Sequence, residues 1–186
     1  MPNLYIIAGC NGAGKTTASF TVLPEILNCR EFVNADEIAR GLSPFQPESV
    51  AIEAARIMLA RINDLLTAGK DFAIETTLST RSYVSFIKKA QQAGYKVSLF
   101  FFWLDSANTA KERVQHRVKQ GGHNIPEDVI ERRYRRGIQN LVRLYIPVVN
   151  YWTVFNNTKE TISIAQGKGL DININNPDIW YRITHG

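Results

Sequence analysis

Two cysteines in 186 residues exclude a disulfide framework, and with only three histidines they leave no metal-ligand spacing. Long apolar runs are missing too. The longest, Val97 to Leu104, is far short of the roughly 20 residues a membrane-spanning helix needs. Met1-Pro2-Asn3 leads straight into an apolar stretch without a charged n-region, so no signal peptide is expected and the chain reads as cytoplasmic. Repeats, linkers and low-complexity tracts are absent, which points to one domain over residues 1–186. The guanine-specifying N-K-x-D pattern is also lacking. Asn156-Asn157-Thr158-Lys159-Glu160 fails its spacing and its acid, which argues against a GTPase.

What is present is ordinary in amount and uneven in place. Hydrophobic content of 45% and charged content of 21% suit a globular protein. The net charge is +5, and residues 111–143 hold nine Lys/Arg against four Asp/Glu, so this one segment accounts for the excess. A localised basic segment favours a local anion site over a general nucleic-acid surface.

The most specific stretch is Gly9-Cys10-Asn11-Gly12-Ala13-Gly14-Lys15-Thr16, a G-x-x-x-x-G-K-T phosphate-binding loop. Its glycines let successive N–H groups turn toward phosphate oxygens, the lysine reaches the β/γ-phosphates, and the threonine hydroxyl suits Mg²⁺. Leu4 to Ala8 before it reads as a buried strand, and Thr16 to Leu27 after it as a helix ending at or just beyond Pro24. Gly9, Asn11, Gly12, Ala13, Gly14, Lys15, Thr16 and Thr17 are therefore the expected ATP contacts. Cys10 is read as a tolerated residue at a variable loop position, although its oxidation would block the nucleotide.

Further on, strand and helix signals alternate. Glu31 to Asp36 reads as a short strand ending in a carboxylate, with one helical turn over Glu37–Arg40. Pro47 opens a helix carrying Ala51, Ala55, Met58, Ile62, Leu65 and Leu66, closed by Gly69. Asp71 to Glu75 is a second strand ending in an acid. Ser79 or Thr80 caps the next helix, closed by Gly94. Tyr95 to Leu104, the most apolar strand, is placed centrally. Ser106 caps a helix broken at Gly121-Gly122, and Pro126 opens another reaching about Leu144. Tyr151 to Phe155 is the last core strand, and the alternating tail over 158–186 reads as an edge hairpin. The pattern predicts a three-layer α/β fold, a mostly parallel sheet with helices on both faces and a helical lid over 106–145. The site should lie beyond the carboxyl ends of the strands.

Asp36 is the candidate base for an acceptor hydroxyl, with a helix-cap role as its structural alternative. Glu75 ends an apolar run as a Walker-B-like acid does, so Thr16 and Glu75 are the expected Mg²⁺ residues. Glu75, Thr77 and Arg81 are assigned to the acceptor, and Thr76 is a further hydroxyl there. Asp105 is explained adequately as a cap or loop residue before Ser106. Arg113 and Arg117 share a helix face and join Asp36 and Lys15 as the catalytic set. Arg132, Arg133 and Arg136 add to the basic segment. His116 and His185 are incidental, and His123 is a lid-contact candidate.

Taken in order, the phosphate loop, Phe32-Val33-Asn34-Ala35-Asp36 with Gly41-Leu42-Ser43-Pro44, Ile74-Glu75-Thr76-Thr77, and Gly121-Gly122-His123-Asn124-Ile125-Pro126 resemble the zeta-toxin family of P-loop kinases. The likeness runs from about Asn3 to Phe155. It implies transfer of the γ-phosphate of ATP to a sugar hydroxyl of a nucleotide-activated amino sugar, typically UDP-N-acetylglucosamine. By the resemblance, Asp36 matches the catalytic aspartate, Glu75 and Thr77 the substrate-binding acid and hydroxyl, and Lys15 and Thr16 the ATP and magnesium residues. It also implies a small antitoxin as partner. The larger toxins carry an arginine near the second lid position, where this chain has His123-Asn124, and an extra substrate-binding segment. Two other readings stand beside this one. A polynucleotide 5′-kinase would use the basic lid for a nucleic-acid end, although nucleic acid is not the expected partner. An ATP-binding and hydrolysing switch module would bind ATP without a phosphorylated product.

Overall fold

The computed structural model describes residues 1–122, 124–169 and 171–186. Seven strands form one sheet: β1 (Asn3–Gly9), β2 (Phe32–Val33), β3 (Phe72–Thr76), β4 (Lys96–Trp103), β5 (Tyr151–Asn156), β6 (Ile162–Lys168) and β7 (Asp171–Ile174). Their order is β2-β3-β1-β4-β5-β6-β7, with the first five mutually parallel and β6 and β7 antiparallel. The helices are α1 (Lys15–Thr21), α2 (Ala35–Leu42), α3 (Ala51–Thr67), α4 (Tyr83–Gln92), α5 (Ala107–Lys119), α6 (Glu127–Asn140) and α7 (Pro177–His185). β4 holds the middle position, as its unbroken apolar run predicts for a strand covered on both faces.

Period-2 alternation divides the core. On β1, Leu4, Ile6 and Ala8 face one layer with Met58 and Ile62 of α3 and Ile87 of α4. Tyr5 and Ile7 face the other, with Ala110 and Val114 of α5 and Ile130 of α6. Each large apolar side chain buried this way stabilises the fold by about 1.5–3 kcal/mol. The sheet therefore sits between two helical layers, and the C-terminal ends of β1, β2 and β3 lie side by side on one edge.

The first helix ends just beyond Pro24 as expected, while several later boundaries differ from the sequence reading. Its last turn is π-helical, over Val22–Ile26, where Leu27 N donates to the Val22 carbonyl at 3.0 Å. The wider turn accommodates a proline that cannot donate. α2 is two turns rather than one, because Asn34 and not Asp36 is its N-cap. Neither Ser79 nor Thr80 caps α4. Their hydroxyls pair with Thr77 and Ser82 respectively, and the helix starts at Tyr83. The tail is a hairpin only through Ile174. Residues 177–185 form α7, with Asn176 as N-cap, Pro177 in the first turn, and Trp180 stacked on Trp152 at 5.4 Å. Asn-Pro-Asp is a helix-start signal that the preceding alternation obscured.

The segment expected as a lid packs on the core. Ala110, Val114 and Ile130 are buried, and Tyr134 donates to the Leu104 carbonyl at 2.9 Å. Gly137 brings α6 against the loop after β3, where a Cβ would stand 2.7 Å from the Thr77 carbonyl oxygen.

Two stability outcomes follow from this packing. Alanine normally improves a helix over glycine by about 1 kcal/mol. Here Gly137→Ala collides with the Thr77 backbone and should instead cost about 1–3 kcal/mol, read as a lower urea midpoint. Burial also raises the Cys10 and Cys29 thiols from 9.0 to about 11 and the Tyr134 and Tyr145 phenols from 10.0 to about 12. Unfolding then releases protons above pH 9, so stability is full below that pH and falls as pH rises toward 12. A urea midpoint no lower at pH 10.5 than at pH 8 would contradict this.

Candidate active site

The phosphate loop follows β1 directly. Gly9, Gly12 and Gly14 all take positive φ, and Gly14, at 80°, is the residue from which α1 starts. Only a residue without a Cβ adopts these turns at little cost. Ala13 N donates to the Cys10 carbonyl at 3.2 Å and closes the curl. Cys10 and Ala13 are buried in the core beneath the loop. Desolvation dominates at the Cys10 sulfur despite nearby Lys15 and Arg113, so it is a buried thiol rather than a reactive thiolate.

Lys15 is nearly buried. Its Nζ donates to the Cys10 carbonyl at 3.0 Å and lies 3.6 Å from Glu75 Oε1. The other Glu75 oxygen accepts from Thr16 Oγ1 at 2.8 Å and from Asn34 Nδ2 at 3.0 Å. Sheet register produces this meeting. Val33 pairs with Ile74 and Ile7 pairs with Glu75, so the residues after β2 and β1 flank the end of β3. Asn34 Oδ1 in turn accepts from the backbone N–H of Asp36 at 2.8 Å and of Glu37 at 3.4 Å. The Asp36 carboxylate, relieved of the capping role, is exposed toward the site.

Two cavities open here. One, of about 460 Å³, is lined by Gly12, Gly14, Lys15, Thr16 and Thr17 of the loop, by Glu37 and Arg40 of α2, and by Arg113 and Arg117 of α5. The other, of about 590 Å³, has an apolar wall of Met58, Leu59, Ile62 and Phe86. It is also lined by the hydroxyl residues Thr76, Thr77, Ser79 and Thr80 and by Arg133 of α6. Both are lined by Asn11, Lys15, Ala35, Asp36 and Glu75, and at these residues they meet.

Most of the expected residues converge here. Arg113 does so by bracing the loop, donating to the carbonyls of Gly12 at 3.4 Å and Thr158 at 2.7 Å. Arg81 does not join them: it is exposed and lines neither cavity. Asp105 lies in the loop just before α5, whose N-cap is Ser106, and accepts from Thr109 Oγ1 at 2.6 Å. His123 lies outside the described residues.

Three contributors have no individual role in the sequence reading, which places Arg133 only within the basic segment. Asn34 is buried and bridges two acids, a role hidden because the start of α2 was placed too late. Arg133 donates to Asn11 Oδ1 at 3.2 Å, whereas its neighbours Arg132 and Arg136 point to solvent. Asn157 donates to the Ala13 carbonyl at 2.7 Å and supports the loop from behind. Its position just after β5, at the same sheet edge, was the available signal.

Comparison with known proteins places this architecture. A protein of Haemophilus influenzae is 29% identical over 126 residues, covering 68% of this chain and 88% of that protein. A chain of the AvrRxo1-ORF1:AvrRxo1-ORF2 complex superposes with a TM-score of 0.81 at 17% identity in the form with sulphate ions. The form with ATP gives 0.80 at 19% identity. Each overlay covers 99% of this chain and 64% of that one, so this chain spans less than two thirds of that relative. A chain of the PezAT toxin–antitoxin system of Streptococcus pneumoniae gives 0.68 at 16% identity, covering 87% of this chain and 71% of that one. The overlays show a common fold. The zeta toxin family model matches residues 1–167, so the chain belongs to the zeta toxin family of P-loop kinases.

Proposed function

We propose that this protein transfers the γ-phosphate of ATP to a hydroxyl of a small molecule. The observation that carries the reading is the junction of the two cavities at Lys15, Asp36 and Glu75. A phosphoryl transferase needs a donor pocket and an acceptor pocket that share only the reacting zone. The first cavity, floored by the phosphate loop, takes ATP. The second takes the acceptor, and its volume of about 590 Å³ suits a small molecule.

The residues divide the work. Loop N–H groups and Lys15 bind the phosphates, and Arg113 and Arg117 offset negative charge at the cavity they line. Asp36 stands at the acceptor side, where its carboxylate orients the hydroxyl and takes its proton. Thr16 Oγ1 and Glu75 Oε2, 2.8 Å apart, are hard oxygen donors that fit Mg²⁺. Among the described residues no group of three or more His, Cys, Asp or Glu stands together. That suits an ion held by one or two protein oxygens with phosphates and water. When bound, Mg²⁺ neutralises charge on the β- and γ-phosphates.

For the acceptor, the lining hydroxyl residues Thr76, Thr77, Ser79 and Thr80 suit a sugar, and the apolar lining of Met58, Leu59, Ile62 and Phe86 suits a planar base. With the family resemblance this supports a nucleotide-activated amino sugar such as UDP-N-acetylglucosamine. The cations lining this cavity are Lys15 and Arg133, too few to track a polynucleotide backbone. The AvrRxo1-ORF1 structures are complexes with AvrRxo1-ORF2, and PezAT is a toxin–antitoxin system, which supports a small inhibitory protein partner here.

The test is incubation with γ-labelled ATP, Mg²⁺ and a panel of nucleotide sugars and oligonucleotides. A labelled sugar nucleotide is expected. Label on oligonucleotides would support the polynucleotide reading, and ATP bound without any labelled ester would support a switch module. Asp36→Asn should lower transfer by about a hundred- to ten-thousandfold while leaving ATP affinity intact. Lys15→Ala should abolish transfer and weaken ATP binding. Full transfer by Asp36→Asn would remove Asp36 as the base.

A further inference from the structure

We infer that Asn34 is a positioning residue that ties the two acids of the site together, a role that rests on the kinase reading above. Asn34 touches neither phosphate loop backbone nor the charged end of Asp36 in any recorded bond. Its two side-chain polar atoms divide between the first turn of α2 and the end of β3. Oδ1 accepts from the N–H groups of Asp36 and Glu37, and Nδ2 donates to Glu75 Oε2 at 3.0 Å. The residue is 6% exposed, so both ends of the amide are held in place.

Capping alone does not explain an amide at this position. Serine, aspartate and asparagine are about equally good N-caps, because each offers an oxygen to the first N–H groups of the helix. Only asparagine among them caps and also donates through a second, rigidly attached nitrogen. Here that nitrogen is spent on Glu75, the acid whose same oxygen accepts from Thr16. Aspartate would place a second carboxylate against Glu75, and serine is too short to span the gap. The planar amide therefore fixes the first turn of α2, with Asp36 on it, relative to the end of β3.

The register leaves little other means of doing this. β2 is two residues long, and its recorded pairs with β3 are Phe32 with Ala73 and Val33 with Ile74. Beyond Val33 the ladder stops, so the Asn34 side chain continues the link between the strands where backbone pairing ends. The remaining charged groups at this cavity come from other elements: Lys15 from α1, Asp36 from α2 and Arg133 from α6. α3 contributes Ala55, Met58, Leu59 and Ile62, which are apolar. Among the described residues, none of these side chains has a hydrogen bond that joins Glu75 to the first turn of α2.

The consequence is specific. Loss of the bridge with retention of the cap should leave the helix in place and misdirect the acids. Indirect supports of this kind are typically worth about ten- to a hundredfold in activity or metal affinity. Asn34→Ser is the discriminating variant and Asn34→Ala the control. Steady-state transfer from ATP, thermal melting, and ATP binding with and without Mg²⁺ are measured for each. Asn34→Ser should melt closer to wild type than Asn34→Ala does. Its kcat should fall about ten- to a hundredfold with the KM for ATP little changed. If Asn34→Ser keeps wild-type kcat and only Asn34→Ala loses stability, Asn34 is a cap and nothing more, and the inference is overturned. If wild type binds ATP but transfers nothing, the kinase reading fails separately. The bridge is then read from the Mg²⁺-dependent gain in ATP affinity. A loss of about tenfold in that gain for Asn34→Ser supports it, and an unchanged gain overturns it.

Discussion

The Glu75 carboxylate, with its side chain only 10% exposed at the end of β3, accepts from Thr16 and Asn34 and lies 3.6 Å from the Lys15 ammonium. A carboxylate this far from water is tolerated only with partners of this kind. Each partner comes from a different segment. Lys15 and Thr16 follow β1, Asn34 follows β2, and Glu75 belongs to β3. The acid is thus the point at which three neighbouring strand ends are referred to one another. The charged lysine also satisfies the Cys10 carbonyl inside the phosphate loop, so the loop and the Glu75 side chain share the same ammonium.

Around that centre the fold supplies rigid backing. Asn157 and Arg113 hold the loop by its carbonyls, and Arg113 does so from the wall of the first cavity. On the acceptor side, α6 presses Gly137 against Thr77, and Asn140 donates to the Leu78 carbonyl at 2.7 Å. Leu78 itself takes a positive φ of 53° while fully buried, a conformation that costs energy and persists only where its surroundings enforce it. The loop carrying Thr76 to Thr80 is therefore set by a helix from the basic segment. The same helix brings Arg133 to the junction through Asn11. The basic segment thus supports the wall of the second cavity in addition to presenting cations.

Much of this was legible because short-range signals carry it. The glycine spacing of Gly9 to Thr16 dictates a loop whatever the tertiary context. The alternation of apolar strands with amphipathic helices dictates a parallel sheet, and acids at the ends of two such strands must then share its edge. What was not legible depends on choices made in three dimensions. Asn34 and Asp36 are both good caps, and only the true start of α2 decides between them. Arg132, Arg133 and Arg136 read alike on a helical wheel, yet the roll of α6, fixed by Ile130 and Gly137, turns Arg133 inward. Arg81 was grouped with Thr77 by proximity in sequence, but the turn before α4 carries it to the surface. In the tail, alternation over Ile162 to Ile174 encouraged an extended reading past Asn176, where Pro177 starts a helix that Trp180 fastens to the sheet.

In the proposed reaction the donor phosphate arrives where the two cavities meet. A crystal structure with a non-hydrolysable ATP analogue and Mg²⁺ tests it most directly. The expected result is the γ-phosphate within hydrogen-bonding reach of Lys15, the metal between Thr16 and Glu75, and the Asp36 carboxylate facing that phosphate across the mouth of the second cavity. A triphosphate lying along another surface, or a γ-phosphate directed away from Asp36, would contradict it.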